Sequence, residues 1–284
     1  MTVPGADERA RAEVLRACSE VVANAGLHSE IRGLFGLEGF SPADHTEVFT
    51  LELLPDACIY LSPGAQLGGE PAERIGGFLA AAGLEPIREA TSLANQLVML
   101  ADLIDQLLKA PAGSQEASAL EKVLAALLFE HVLPWVPPYV TATTRLEPRL
   151  SAWAGATVGT LAELAGWLGL ASWEITPSVL EGRGAAAEGA SDLVAMAASP
   201  YLCGTFLTKR VLFERAYEVG LAPRIGSRKF MIASLLEQSP TAAAAVLREE
   251  AEFQAERWAE LASAFGVPLA SWADSAAAFS ASLA

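Results

Sequence analysis

The chain of 284 residues is 52% hydrophobic and 19% charged, enough to bury one large core or two modest ones. Its 34 acidic against 19 basic residues leave a formal charge of −15, which opposes non-specific nucleic-acid binding, suits a cationic partner and also favours solubility. Three cysteines, Cys18, Cys58 and Cys203, stand far apart without a CxxC spacing, so neither a disulfide framework nor a zinc site is indicated and a reducing cytoplasm fits.

The opening "MTVPGADERARAEV" has charges where a signal peptide needs its apolar stretch, and no export is expected. Residues 7–25 place Ala10, Val14, Ala17, Val21 and Ala25 at helical spacing, with Gly26 expected as a C-terminal cap. In "FSPADHTEVFTLELLP", Ser41 can cap, Pro42 suits the first helical position, Asp44 lies in the first turn, and Pro55 stops a helix of about three turns. A loop, "IYLSPGAQLGG", precedes a helix over 71–82 that ends at Gly83. The pattern then predicts a long helix over 89–109, with Leu93, Leu97, Leu100, Ile104 and Leu107 on one stripe and Asn95, Asp102, Gln106 and Lys109 facing away. Its partner over 116–133 aligns Leu120, Leu124, Leu127 and His131.

Residues 150–173 carry one charge, Glu163, and a GxxxG at Gly155 and Gly159. Flanks without basic asymmetry point to a buried helix packed through its glycines rather than a membrane span. A soft stretch, "EGRGAAAEGAS" at 181–191, reads as a linker or frayed end, and helices follow at 208–219, 228–238 and 241–265. Composition does not decide whether the final "SWADSAAAFSASLA" is a docked helix or a tail. No strand of useful length is predicted, so the fold class is all-α.

The three histidines, His28, His45 and His131, stand in neither HxxxH nor ExxH spacing, and no GxSxG, Walker loop or GxGxxG follows a strand. Neither a metal, a cofactor nor an enzyme activity is expected. Glu249 and Glu250 read as a solvated face. "FEHVLPWVPPY", residues 129–139, stands out instead. His131 sits where a charged imidazole would favour the negative end of a helix. Trp135, between Pro134 and Pro137-Pro138, is either a core plug or a preformed apolar platform.

The order of these motifs resembles the TorD, DmsD and NarJ type of redox-enzyme maturation chaperone. "HTEVFTLELLPDACIYLSPGAQLGG", with Ile59, Tyr60 and Leu61 at a "VYL"-like run, leads to "FLAAAGLEP", "SLANQLVMLADLI", and then Phe129, His131 and Trp135. The resemblance covers residues 40–170 best. It implies a TorD-like bundle over 1–180, a linker at 181–199 and a C-terminal helical lobe over 200–284. It also implies a cytoplasmic, non-catalytic chaperone, without membrane insertion, that binds a molybdenum or iron-sulfur oxidoreductase subunit or its twin-arginine signal peptide. Such a leader presents guanidinium pairs before an apolar stretch, so its receptor needs carboxylates beside an apolar groove. The client-binding candidates are Tyr60, Glu89, Gln96, Asp102, Glu130, His131, Trp135 and Tyr139. Many members carry an Asp-His pair where this chain has Thr91 and Ser92, and an acid where it has Gln96. That departure leaves open a client recognised through a mature segment.

Two other readings come from the second half. Residues 209–229 hold six Lys or Arg against two Glu, so 209–238 can be read as a DNA-binding helix-turn-helix, although Phe230, Met231, Leu235 and Leu236 look like core. A helical protein that binds a small molecule is the third reading.

Overall fold

The computed structural model describes residues 6–170, 174–181, 183 and 192–284. The regular elements among them are helical, and the one pairing of extended backbone is a single bridge between Asp56 and Ser92. The fold is therefore all-α, as the periodicities predict. Contacts divide the chain into two compact units, Met1–Ala57 with Gly68–Trp173, and Cys58–Leu67 with Glu174–Ala284. Of the expected linker at 181–199, residues 182 and 184–191 lie outside the described residues.

The first unit begins with α1 (Ala6–Ala23) and α2 (Ser29–Phe35). The buried residues of α1 are Ala12, Leu15, Cys18, Ser19, Val21 and Val22. Of the expected stripe Val21 is buried, Val14 and Ala17 are half-buried and Ala10 lies in solvent; alanines carry too little apolar area to set the face, and Leu15 and Val22 turn it. Gly26 does not cap α1, which ends at Ala23. The start of α3 (Pro42–Thr46) follows expectation. Ser41 Oγ accepts from the Asp44 amide, the Asp44 carboxylate accepts from the Ser41 amide, and Pro42 occupies the first turn. The helix widens into a π turn over Glu47–Glu52 and stops before Pro55.

At α4 (Ala57–Tyr60) the chain passes into the second unit, and it returns for α5 (Glu70–Ala81). α6 (Leu93–Lys109) begins four residues later than expected. Glu89 has a left-handed φ of 57°, and the segment after it pairs with Pro55–Ala57 instead of coiling. Ala57 N donates to Thr91 O at 3.0 Å, Leu93 N donates to Pro55 O at 2.9 Å, and Thr91 Oγ1 donates to the Asp56 carboxylate at 2.9 Å. Ser92 then caps the helix by accepting from Asn95 N. α1 packs along α6 and also meets α9 (Ser151–Trp167).

α7 (Gln115–Ala126) runs into a second π turn, Leu127–Val132, and the chain bends by 48° into α8 (Val136–Leu146). Pro137 and Pro138 sit in the first turn of α8, where a missing amide hydrogen leaves no intrahelical bond broken. Within α9, Trp153, Thr157, Leu161 and Leu164 are buried. Gly155 and Gly159 lie away from that packed face, and a Cβ at either would meet no atom within 4 Å. The expectation of a helix packed through its glycines fails because the bulkier side chains take the core face. Among the described residues no single helix is long and apolar enough to cross a membrane; α7 with its π turn and α8 pass that test together only as a bent pair.

The second unit contains α10 (Leu193–Ala198), α11 (Pro200–Cys203), α12 (Lys209–Glu218), α13 (Arg228–Gln238), α14 (Pro240–Phe265) and α15 (Val267–Ser282). The C-terminal stretch is thus a docked helix. Phe206 is the aromatic hub of this unit, with ring centroids 5.0 Å from Tyr60, 5.7 Å from Trp258 and 5.1 Å from Trp272. Gly204 (φ 69°) lets the chain pass α15 closely. A Cβ there would lie 2.4 Å from Ala276 N and 2.8 Å from Trp272 O. Arg183 is buried with its guanidinium 3.8 Å from the Trp272 ring centroid, and it donates to the carbonyls of Tyr201 and Pro200. Glu250 is 1% exposed, which corrects its reading as a solvated residue. It accepts from Gln254 at 2.6 Å, and Gln254 in turn holds the backbone of Phe206. Phe230, expected in the core, is 47% exposed, while Met231 and Leu235 are buried.

Candidate functional site

α5 is short and rich in small residues, "EPAERIGGFLAA". Its buried side chains, Pro71, Ile75 and Leu79, hold it in the first unit. Small Ala72, Gly76 and Ala80, one turn apart, line a groove closed on its other side by Pro86, Ile87, Glu89, Ala90 and Thr91. The groove encloses about 230 Å³. Its wall is mainly apolar, and Glu89 at its edge is exposed and paired loosely with Arg88 at 3.7 Å. The left-handed turn at Glu89 and the pairing of Thr91 with Asp56 hold the 86–91 wall against the start of α6.

His131 meets α5 through Phe78, with ring centroids 5.0 Å apart. Burial pushes its imidazole down to about 4, opposed by the adjacent Glu130 carboxylate and reinforced by the Arg74 guanidinium. The ring is therefore neutral near pH 7, and the expected charge-dipole contact at this helix end is not made. Glu130, His131, Arg74 and Phe78 form one half-buried cluster on α5 and the second π turn.

The remaining candidates are not gathered there. Trp135 is fully buried; its indole Nε1 donates to Gln96 Oε1 and to His131 O, both at 3.0 Å. Of its two readings the structure selects the core plug, because a stiff turn between prolines drives the ring inward against α6. Tyr139 is also fully buried, and its hydroxyl donates to Leu53 O at 2.9 Å. Gln96 is 1% exposed, and Tyr60 is buried on Phe206 in the second unit. None of these four offers a surface to a client. Asp102 is exposed but holds Arg16 of α1 at 2.8 Å, alongside Asp105 at 2.6 Å. The groove wall itself, Ala72, Gly76, Ala80 and Ile87, is not among the expected residues. The run of small residues in "AERIGGFLAA" is the signal that could have found it. Among the described residues, no three His, Cys, Asp or Glu converge as a metal site.

In the second unit, the helix-turn-helix reading meets a poor surface. Met231, Ile232 and Leu235 of α13 are buried, and Arg228 donates to Leu207 O at 3.2 Å.

An all-helical protein with a small apolar groove, bordered by the carboxylate of Glu89, is the class that the fold and this site define. Residues 42–141, from the first residue of α3 through Trp135 into α8, match the family model described as nitrate reductase delta subunit. Over this segment the chain is similar to the NarJ- and TorD-type chaperones, a family that serves molybdoenzyme maturation. No curated protein and no solved structure shows significant similarity to the chain.

Proposed function

We propose that the protein is a cytoplasmic maturation chaperone that holds an apolar segment of a molybdenum or iron-sulfur oxidoreductase subunit, in its leader or near its mature start, in the α5 groove. The observation that carries this reading is the groove itself, a mainly apolar slot lined by Gly76 with Glu89 at its edge, lying within the family-matched segment. Its volume falls below the roughly 300 to 1,000 Å³ of pockets that enclose whole small molecules. A slot of that size suits side chains of a peptide better than a cofactor.

Magnitudes assign the parts. Apolar burial yields about 25 cal/mol per Å², whereas an exposed ion pair yields about 0.2 to 1 kcal/mol. The groove therefore sets affinity, and Glu89 with Glu130 selects clients whose apolar stretch follows basic residues.

Gly76→Leu tests this directly. No atom lies within 4 Å of the added Cβ, and removing a glycine from a helix interior adds up to about 1 kcal/mol of stability. The variant folds at least as well as the parent, but its side chain occupies the slot. Losing burial of one large client side chain, about 1.5 to 3 kcal/mol, lowers affinity for a leader peptide roughly 10- to 100-fold, as read by fluorescence anisotropy. Unchanged affinity in a stably folded Gly76→Leu protein removes the groove from the account.

A further inference from the structure

The loop between α12 and α13 carries a feature that the groove does not explain. Ile225 is 89% exposed, the highest value among the large apolar side chains of the described residues, and Phe230 is 47% exposed. Both stand next to Gly226, Ile225 by sequence and Phe230 by its ring. The ring lies over Gly226, where a Cβ would come within 2.5 Å of it, so the glycine permits the aromatic to fold back over the loop. Arg224, Arg228 and Lys229 surround them in sequence. Among the described residues no carboxylate pairs with Lys229, Arg228 donates to a carbonyl, and Arg224 is held at 3.5 Å by Glu237. The acids of α12 face their own arginines, Glu214 to Arg210 and Glu218 to Arg215.

We propose that this loop is a peripheral contact for an anionic lipid surface, with Ile225 and Phe230 entering the headgroup boundary and Lys229, Arg228 and Arg224 facing the lipid phosphates. Charge complementarity and size decide the occupant. A stable protein partner requires about 800 Å² on each side, and two exposed apolar side chains at one loop do not approach that. Weak, reversible interfacial binding needs only a few apolar side chains together with basic residues, each of which contributes when close to the surface. Ile225, the more exposed of the two, gives a base no ring to stack on, and Phe230 is the single aromatic of the loop, which disfavours a nucleic acid. The acidic remainder of the chain does not prevent approach, because salt screens charges beyond about 8 Å.

The test is co-sedimentation of the full chain with vesicles of equal parts phosphatidylglycerol and phosphatidylcholine, and with phosphatidylcholine alone. The expected result is partitioning onto the anionic vesicles only, abolished by raising salt from about 0.1 M to about 0.5 M. Lys229→Gln lowers it about fivefold and Ile225→Asp at least tenfold, with helicity unchanged because both side chains are exposed. No binding to anionic vesicles, equal binding to neutral ones, or full binding by Ile225→Asp overturns the proposal. A DNA duplex bound with the same dependence on Ile225 and Lys229 overturns it in favour of nucleic acid.

Discussion

Trp135 and His131, one turn apart, show how much of a residue's role depends on what folds over it. The indole is fully buried, and its Nε1 is satisfied by Gln96 and by the His131 carbonyl. Trp135→Ala therefore leaves a cavity and an unpaired amide, and we expect a loss of about 3 to 5 kcal/mol in urea unfolding. A folded Trp135→Ala protein of near-parental stability would restore the platform reading. His131 ionises in the unfolded chain near 6.5 but only at about 4 in the fold. Between those values only the unfolded chain takes up the proton, so stability present above about pH 6.5 is lost as pH falls toward 4. His45, whose imidazole burial also holds low while its Nε2 lies 3.0 Å from Val22 O, adds to the same slope. His131→Gln should flatten the fall in melting temperature between pH 6.5 and 4 without abolishing it; an unchanged slope would show that the imidazole is solvated. Sequence could single out both residues, yet not their burial. That depends on Phe78 and Gln96, which lie 53 and 39 positions away from their respective partners.

At the scale of elements, most helices were legible because their ends carry local chemistry. The Ser41-Pro42-Asp44 cap, Gly83 after α5, and Ser239-Pro240 before α14 fall where the periodicity breaks. The start of α6 was not legible, because the hydrogen bonds that replace its first turn come from Pro55 and Asp56. The glycines of α9 and Glu250 of α14 misled for a related reason: facing direction depends on tertiary neighbours, and small or charged residues set it weakly. Close packing at Gly204 is likewise invisible in sequence. Gly204→Ala places a methyl group against the α15 backbone at a left-handed φ. It should destabilise the protein by more than the roughly 1 kcal/mol of the backbone preference alone. A melting temperature equal to the parent's would mean that α15 can shift to admit it.

Across the whole molecule, the acidic excess, the lack of a recognisable catalytic motif and the order of motifs from Ser41 to Tyr139 point to the family without help from the fold. The groove is hidden in sequence because four of the expected contact residues are large aromatic or amide side chains that the core absorbs, while the slot is lined mainly by small and aliphatic residues. Glu89 is the candidate that the structure does place on it. Glu130→Lys should weaken a basic client at low salt and have little effect at high salt; equal affinity at low salt would remove Glu130 from the site. The most direct measurement is a pull-down from native cytoplasm with the tagged parent and the tagged Gly76→Leu protein, identifying the captured chains and assaying their metals. An immature molybdenum or iron-sulfur subunit is expected with the parent and is expected to be lost with Gly76→Leu. Capture of no such subunit by the parent would contradict the chaperone reading, and equal capture by both proteins would contradict the groove.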